Sequence, residues 1–218
     1  MTMKIIVAFI LSQSILLPII AGLIRYRRLG RSYQPFFLLL LIGFLTEVIS
    51  FIVIQGMSRS NIIVVNIYVL IEWSLIAWQF YVWSSRPQKK IFYALIAMLV
   101  LFWIGENLVF HQINRIVPYF RFLYFFLIVL LSINKINYMI THENRNLFLN
   151  PRFLICIGFI IYFIFMIMYF WAYQVSLFGK SDISNSIIFL MGYVNVFTNI
   201  IYAIAFLMVP KPQKFTLQ

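Results

Sequence analysis

The pattern of hydrophobic and polar positions divides the chain into seven apolar runs separated by short polar connectors. Each run is close to the roughly 20 residues that an α-helix needs to cross a hydrocarbon core. The pattern therefore predicts an all-α, polytopic transmembrane bundle of about seven helices, forming a single domain over residues 1–218. The predicted spans are about 5–24, 35–55, 61–83, 91–110, 118–136, 151–173 and 184–209.

Composition points to the same class. Hydrophobic residues make up 64% of the chain and charged residues 10%, against about 45–50% and about 25% in soluble domains. Seven spans with short connectors use nearly all of the 218 residues. No length remains for a soluble catalytic or ligand-binding domain.

The distribution of basic residues predicts an orientation. Of the 17 lysines and arginines, twelve fall in or beside the loops after the first, third and fifth spans and in the C-terminal tail, and five fall on the other side. By the positive-inside rule, the N-terminus lies outside and the C-terminus in the cytoplasm. We therefore interpret the net charge of +12 as contact with membrane lipids and expect no nucleic-acid partner.

Acidic residues inside the predicted spans are the main functional candidates. Glu47 and Glu72 both lie near the midplane, roughly 16–18 Å from an edge at 1.5 Å per residue. An ionised side chain there costs about 2.5–3.5 kcal/mol on insertion scales, and such residues usually face the interior of a bundle.

Helical spacing places polar residues in three stripes that we expect to converge on one interior site. The functional interpretation is a proton- or cation-linked site, or a pocket for a polar or cationic ligand. The structural alternative is that both carboxyl groups are protonated and join helices by hydrogen bonds. The stripes are Gly43, Glu47 and Ser50 on the second helix, Tyr68, Glu72 and Gln79 on the third, and Asn195, Asn199 and Tyr202 on the seventh.

A second polar group is predicted near the outer face. Glu106 lies in the outer third of the fourth span, and Arg121 lies at the outer start of the fifth. The short loop between these spans puts both at a similar depth, which favours an outer-face ion pair. The alternative is that Arg121 binds an anionic group in an outward-facing vestibule.

Other chemistries find no support in the sequence. Cys156 is the only cysteine, and His111 and His142 fall near opposite ends of the membrane. The chain has no metal-ligand spacing, nucleophile set or phosphate-binding loop. We expect no metal, no cofactor and no catalytic residues.

Two short stretches carry a resemblance. They are Asn66-Ile67-Tyr68 with Leu70-Ile71-Glu72-Trp73 on the third span, and Asn195 to Ala203 on the last. With the chain length and the seven spans, they resemble a group of uncharacterised seven-helix integral membrane proteins of Bacteroidota. This resemblance implies a multi-pass protein of a bacterial cytoplasmic (inner) membrane. It adds weight to Glu72 and Asn199, and it brings no established activity. Asn66, which lies in the first of these stretches, is also assigned to the predicted ligand- or proton-binding set with Glu47, Glu72, Tyr68, Asn195 and Asn199.

From these features we predict a receptor-like or regulatory membrane subunit that acts through a membrane or cytoplasmic protein partner. A small proton- or cation-coupled secondary transporter is the alternative, because transporter sites also lie near the midplane. A third hypothesis is a lipid-modifying enzyme that uses Glu106, His111 and Arg121 at the outer face. The sequence favours a non-enzymatic role.

Overall fold

The computed structural model describes residues 9–57, 60–84, 89–110, 113–116, 118–143, 146–176 and 181–210. Over these ranges the chain forms seven helices and no strand, which confirms the all-α prediction. The helices are α1 (Phe9–Ile24), α2 (Tyr26–Gly56), α3 (Ile62–Trp83), α4 (Lys89–Ile104), α5 (Pro118–His142), α6 (Pro151–Ser176) and α7 (Ser181–Leu207).

The helices form a closed ring. Each helix packs against the next one along the chain, and α1 closes the ring against α7. In addition, α3 contacts α5. This arrangement places α3 against both α2 and α5, so its polar side chains can reach partners on either side.

The surface of the bundle is apolar along most of its length. Six helices in the described ranges are long and apolar enough to cross a membrane, and α1 is a shorter apolar helix. Large hydrophobic side chains stand on the outside, such as Leu101 at 68% exposure and Trp171 at 65%. So much exposed apolar area is typical of a surface that meets lipid.

Aromatic rings fill the core between α2, α6 and α7. The Phe36 ring contacts those of Phe159, Tyr202 and Phe206 at centroid separations of 5.5, 4.9 and 5.4 Å. Gly158 allows this packing, because a Cβ atom there would overlap the Tyr202 ring. The interface between α6 and α7 therefore depends on a glycine at its closest approach.

The N-terminal part of α2 differs from the predicted boundary at residue 35. The helix begins at Tyr26 and bends at Gly30, where φ is 54° and ψ is −178°. Only glycine adopts this conformation readily. The bend places the arginine-rich segment before Pro35 on a short helical arm instead of in a loop.

A glutamine on α3 completes the backbone hydrogen bonding of α2 after this bend. The Phe36 N–H donates to Gln79 Oε1 at 2.9 Å, and Gln79 Nε2 donates to the Ser32 carbonyl at 2.7 Å. Trp83 Nε1 donates to the same carbonyl at 3.0 Å. In an uninterrupted helix, the Phe36 N–H would donate directly to the Ser32 carbonyl, four residues earlier. Here the Gln79 amide bridges these two groups instead.

Two further departures from the predicted spans occur at helix ends. Helix α5 continues past residue 136 to His142, and α4 passes into a π-helical segment, Gly105–Val109. Short π segments occur frequently at functional sites. This one carries Glu106 and Asn107, both of which are buried.

Candidate functional site

A small cavity lies inside the bundle, between α1, α2, α3, α6 and α7. Its volume is about 60 Å³, which exceeds the about 10–15 Å³ that one water molecule requires. Glu72 lines it and is the eleventh of the 22 residues of α3, so the cavity lies at the middle of that helix. Tyr68, Asn195 and Asn199 line the same cavity.

Glu72 is the acidic group of the cavity and is 7% exposed. Its Oε2 atom accepts a hydrogen bond of 2.7 Å from the Tyr124 hydroxyl on α5. Its Oε1 atom accepts a longer one, 3.3 Å, from the Tyr68 hydroxyl. Tyr68 lines the cavity and Tyr124 does not, so Oε1 is the oxygen on the cavity side and keeps acceptor capacity for a further donor.

The α7 side of the cavity presents neutral polar groups. Asn199 Nδ2 donates to Ser14 Oγ on α1 at 2.8 Å and to Asn195 Oδ1 at 3.2 Å. The Thr198 hydroxyl donates to the Asn195 carbonyl at 3.0 Å. Ser14 belongs to a 3₁₀ turn, Gln13–Ile15, within α1. These bonds fix α1 against α7 beside the cavity.

Aromatic side chains form much of the remaining wall. No lysine, arginine or histidine lines the cavity within the described part of the chain. The cavity therefore combines one carboxyl group with aromatic faces and amide or hydroxyl groups. The aromatic lining residues are Phe36, Tyr68, Phe159, Tyr162, Phe163 and Tyr202.

Glu47 does not line this cavity, contrary to the convergence expected from the sequence. Its side chain is exposed and lies near Ser12 of α1. Gly43, one turn away, leaves room for the Tyr68 hydroxyl, which would lie 3.2 Å from a Cβ there.

Asn66 lies outside the cavity and organises a separate buried layer. Its Nδ2 donates to the carbonyls of Ile113 and Arg115 at 2.8 and 3.0 Å. Its Oδ1 accepts from Arg121 Nη2 at 2.7 Å, and its backbone carbonyl accepts from Trp103 Nε1 at 3.0 Å. One asparagine therefore joins α3, α4, α5 and the segment 113–116.

Arg121 and Glu106 belong to this layer but bond to different groups. Arg121 is 3% exposed, donates to Asn66 and lies 4.9 Å from the centre of the Phe170 ring. Glu106 accepts from the backbone N–H groups of Tyr119 and Phe120 at 3.1 and 3.0 Å. Glu106 thus caps the first turn of α5. The contacts of Arg121 and Glu106 do not include a direct ion pair between them. The two side chains interact electrostatically at longer range.

Two other residues from the sequence stripes lie outside the cavity. Gln79 bonds to α2 as described above and does not line the cavity, and Ser50 is buried on α2. His111, the third member of the set considered for lipid chemistry, lies outside the described residues. The structure brings together Tyr68, Glu72, Asn195, Asn199 and Tyr202.

Tyr124 is a site residue that sequence reasoning missed. Its hydroxyl makes the shortest hydrogen bond to Glu72, and it is fully buried. A signal existed in the spacing, because Tyr124 and Ile128 follow Arg121 by three and seven residues and therefore share its helix face.

The fold and the polar interior define the class: a polytopic apolar helical bundle of the kind found in integral membrane proteins. Comparison with protein-family models, with curated proteins and with solved structures gives no match.

Proposed function

We propose that this chain is a receptor-like or regulatory integral membrane subunit that binds a small polar ligand in the mid-membrane cavity and acts through a protein partner. One observation carries the proposal: five helices contribute to a cavity with a buried carboxyl group. Buried ionisable groups in membrane spans are costly and are retained mainly for function.

The hydrogen bonds around Glu72 supply a route by which ligand binding would change the outer end of the bundle. Glu72 on α3 bonds to Tyr124 on α5. Arg121 lies one turn before Tyr124 on α5. Arg121 bonds to Asn66, which holds the carbonyls of the segment 113–116. A ligand that displaces Tyr124 from Glu72 would therefore disturb the turn of α5 that carries Arg121, and through Arg121 the contact with Asn66.

Native mass spectrometry of the gently solubilised protein tests the proposal. We expect the wild-type protein to retain a small-molecule or protein adduct that is reduced at least about tenfold in Glu72→Gln, because a charge-assisted hydrogen bond contributes about 1.5–3 kcal/mol. Glu143→Gln removes an acid that lies just after α5, bonds to Asn150 and does not line the cavity, and it serves as the matched control. Bare protein in all three samples, or an adduct unchanged in Glu72→Gln, would contradict the proposal.

A proton- or cation-coupled transporter is the second candidate. It is supported by the two phenol hydroxyls on Glu72, since hydroxyl groups can relay protons to and from a carboxylate. Reconstituted protein would then accumulate a substrate in vesicles under an imposed ion gradient, and Glu72→Gln would abolish the accumulation. An adduct without any accumulation would leave the receptor-like function.

The proposed setting is a bacterial cytoplasmic membrane with the N-terminus outside and the C-terminus inside, supported by the distribution of arginine and lysine. Cys156 is fully buried, so an introduced surface cysteine can be labelled selectively. A membrane-impermeant maleimide should label Arg115→Cys in intact cells and Lys90→Cys only after permeabilisation. The reverse pattern would overturn this orientation.

A further inference from the structure

We infer that the ligand of the cavity is a small primary ammonium ion bound by Glu72. This inference rests on the proposed function of the same cavity. It names the charge and the hydrogen-bonding character of the ligand, which follow from the groups that surround the space.

The sign of the ligand charge follows from the lining. Glu72 is the charged group among the lining residues in the described part of the chain. Arg121 is the nearby cation, but its guanidinium bonds to Asn66 and lies over the Phe170 ring. The Tyr124 hydroxyl donates a hydrogen bond to Glu72 Oε2, the oxygen on the α5 side. The oxygen on the cavity side accepts one hydrogen bond, from the Tyr68 hydroxyl at 3.3 Å, and can accept a second from a cationic donor.

The choice of a primary ammonium follows from the acceptors and the aromatic wall. A primary ammonium has three N–H donors, as in the lysine side chain. The cavity offers the Glu72 carboxylate together with hydroxyl and amide oxygens from Tyr68, Asn195 and Thr198. The faces of Phe and Tyr rings attract a cation over distances of up to about 6 Å. A volume of about 60 Å³ favours a small alkyl group.

Thermal unfolding of the whole purified protein in detergent, titrated with methylammonium chloride against sodium chloride at equal ionic strength, tests the inference. We expect a saturable rise in melting temperature with methylammonium and none with sodium. Tetramethylammonium, which is larger and has no N–H donor, should not reproduce the rise. An equal response to methylammonium and sodium, or to methylammonium and tetramethylammonium, would overturn the inference.

Two variants assign the effect to Glu72. Glu72→Gln should raise the half-saturating concentration of methylammonium at least about tenfold, and Glu143→Gln should leave it unchanged. Retention of wild-type affinity in Glu72→Gln would overturn the inference. A Glu72-dependent adduct that is anionic or neutral would overturn it too, while the proposed function would stand.

Discussion

Replacing Asn66 with leucine is expected to lower the free energy of unfolding by about 3–5 kcal/mol, because it leaves a buried guanidinium without its partner. The Arg121 side chain is 3% exposed and donates to Asn66 Oδ1 at 2.7 Å. The same substitution removes the donor for two carbonyls in the segment 113–116. The melting temperature of the purified protein should fall strongly.

The control is Asn134→Leu, the same substitution at an exposed position on α5. It should change stability by no more than about 0.5 kcal/mol. Similar melting temperatures for the two variants would show that the Asn66 layer does not hold α3, α4 and α5 together.

Replacing Gln79 with leucine is the second large effect, with an expected loss of about 2–3 kcal/mol. The Phe36 N–H would lose the acceptor at 2.9 Å, whereas the Ser32 carbonyl would keep Trp83 as a donor. Gln79 is fully buried, so water cannot readily replace its amide. The melting temperature should fall, and proteolysis near the bend at Gly30 should become faster.

Gln34→Leu provides the comparison, since Gln34 is exposed on the same helix, α2. This variant should retain wild-type stability and protease resistance. If Gln79→Leu matched it, the helix would form its own hydrogen bond between Phe36 and Ser32, and the bridging role of Gln79 would be rejected.

Asn66 and Gln79 differ from Glu72 in what their side chains bond to. Asn66 and Gln79 bond mainly to backbone or to a buried arginine and lie outside the cavity. Glu72 keeps acceptor capacity on the cavity side. Loss of stability in Asn66 and Gln79 variants, with loss of methylammonium response in Glu72→Gln, would show that distinction directly.

Much of the architecture could be predicted because a membrane span is a local property of the sequence. About 20 consecutive apolar residues suffice to predict a helix that crosses the bilayer. The position of Glu72 at the middle of its helix and the shared stripe of Asn195 and Asn199 were predictable for the same reason, since rise and periodicity per residue are constant. Their use as a ligand site stays a prediction.

The helix boundaries were less predictable where polar residues continue a helix. The arginine-rich segment after residue 25 has the composition of a loop, but it forms the first part of α2, with the bend at Gly30. Helix α5 likewise continues to His142. Hydropathy marks where a helix leaves the apolar layer, not where its hydrogen bonding ends.

The sequence by itself determined the class of the protein, the number of its apolar helices and the few polar residues within them, because these depend on local hydrophobicity and constant helix geometry. Only the tertiary structure decided the partners. It separated Asn66 and Gln79 from the cavity, added Tyr124 and placed Glu47 at an exposed position. Periodicity shows which residues share a face of one helix, whereas the rotation and packing of neighbouring helices decide which groups that face contacts.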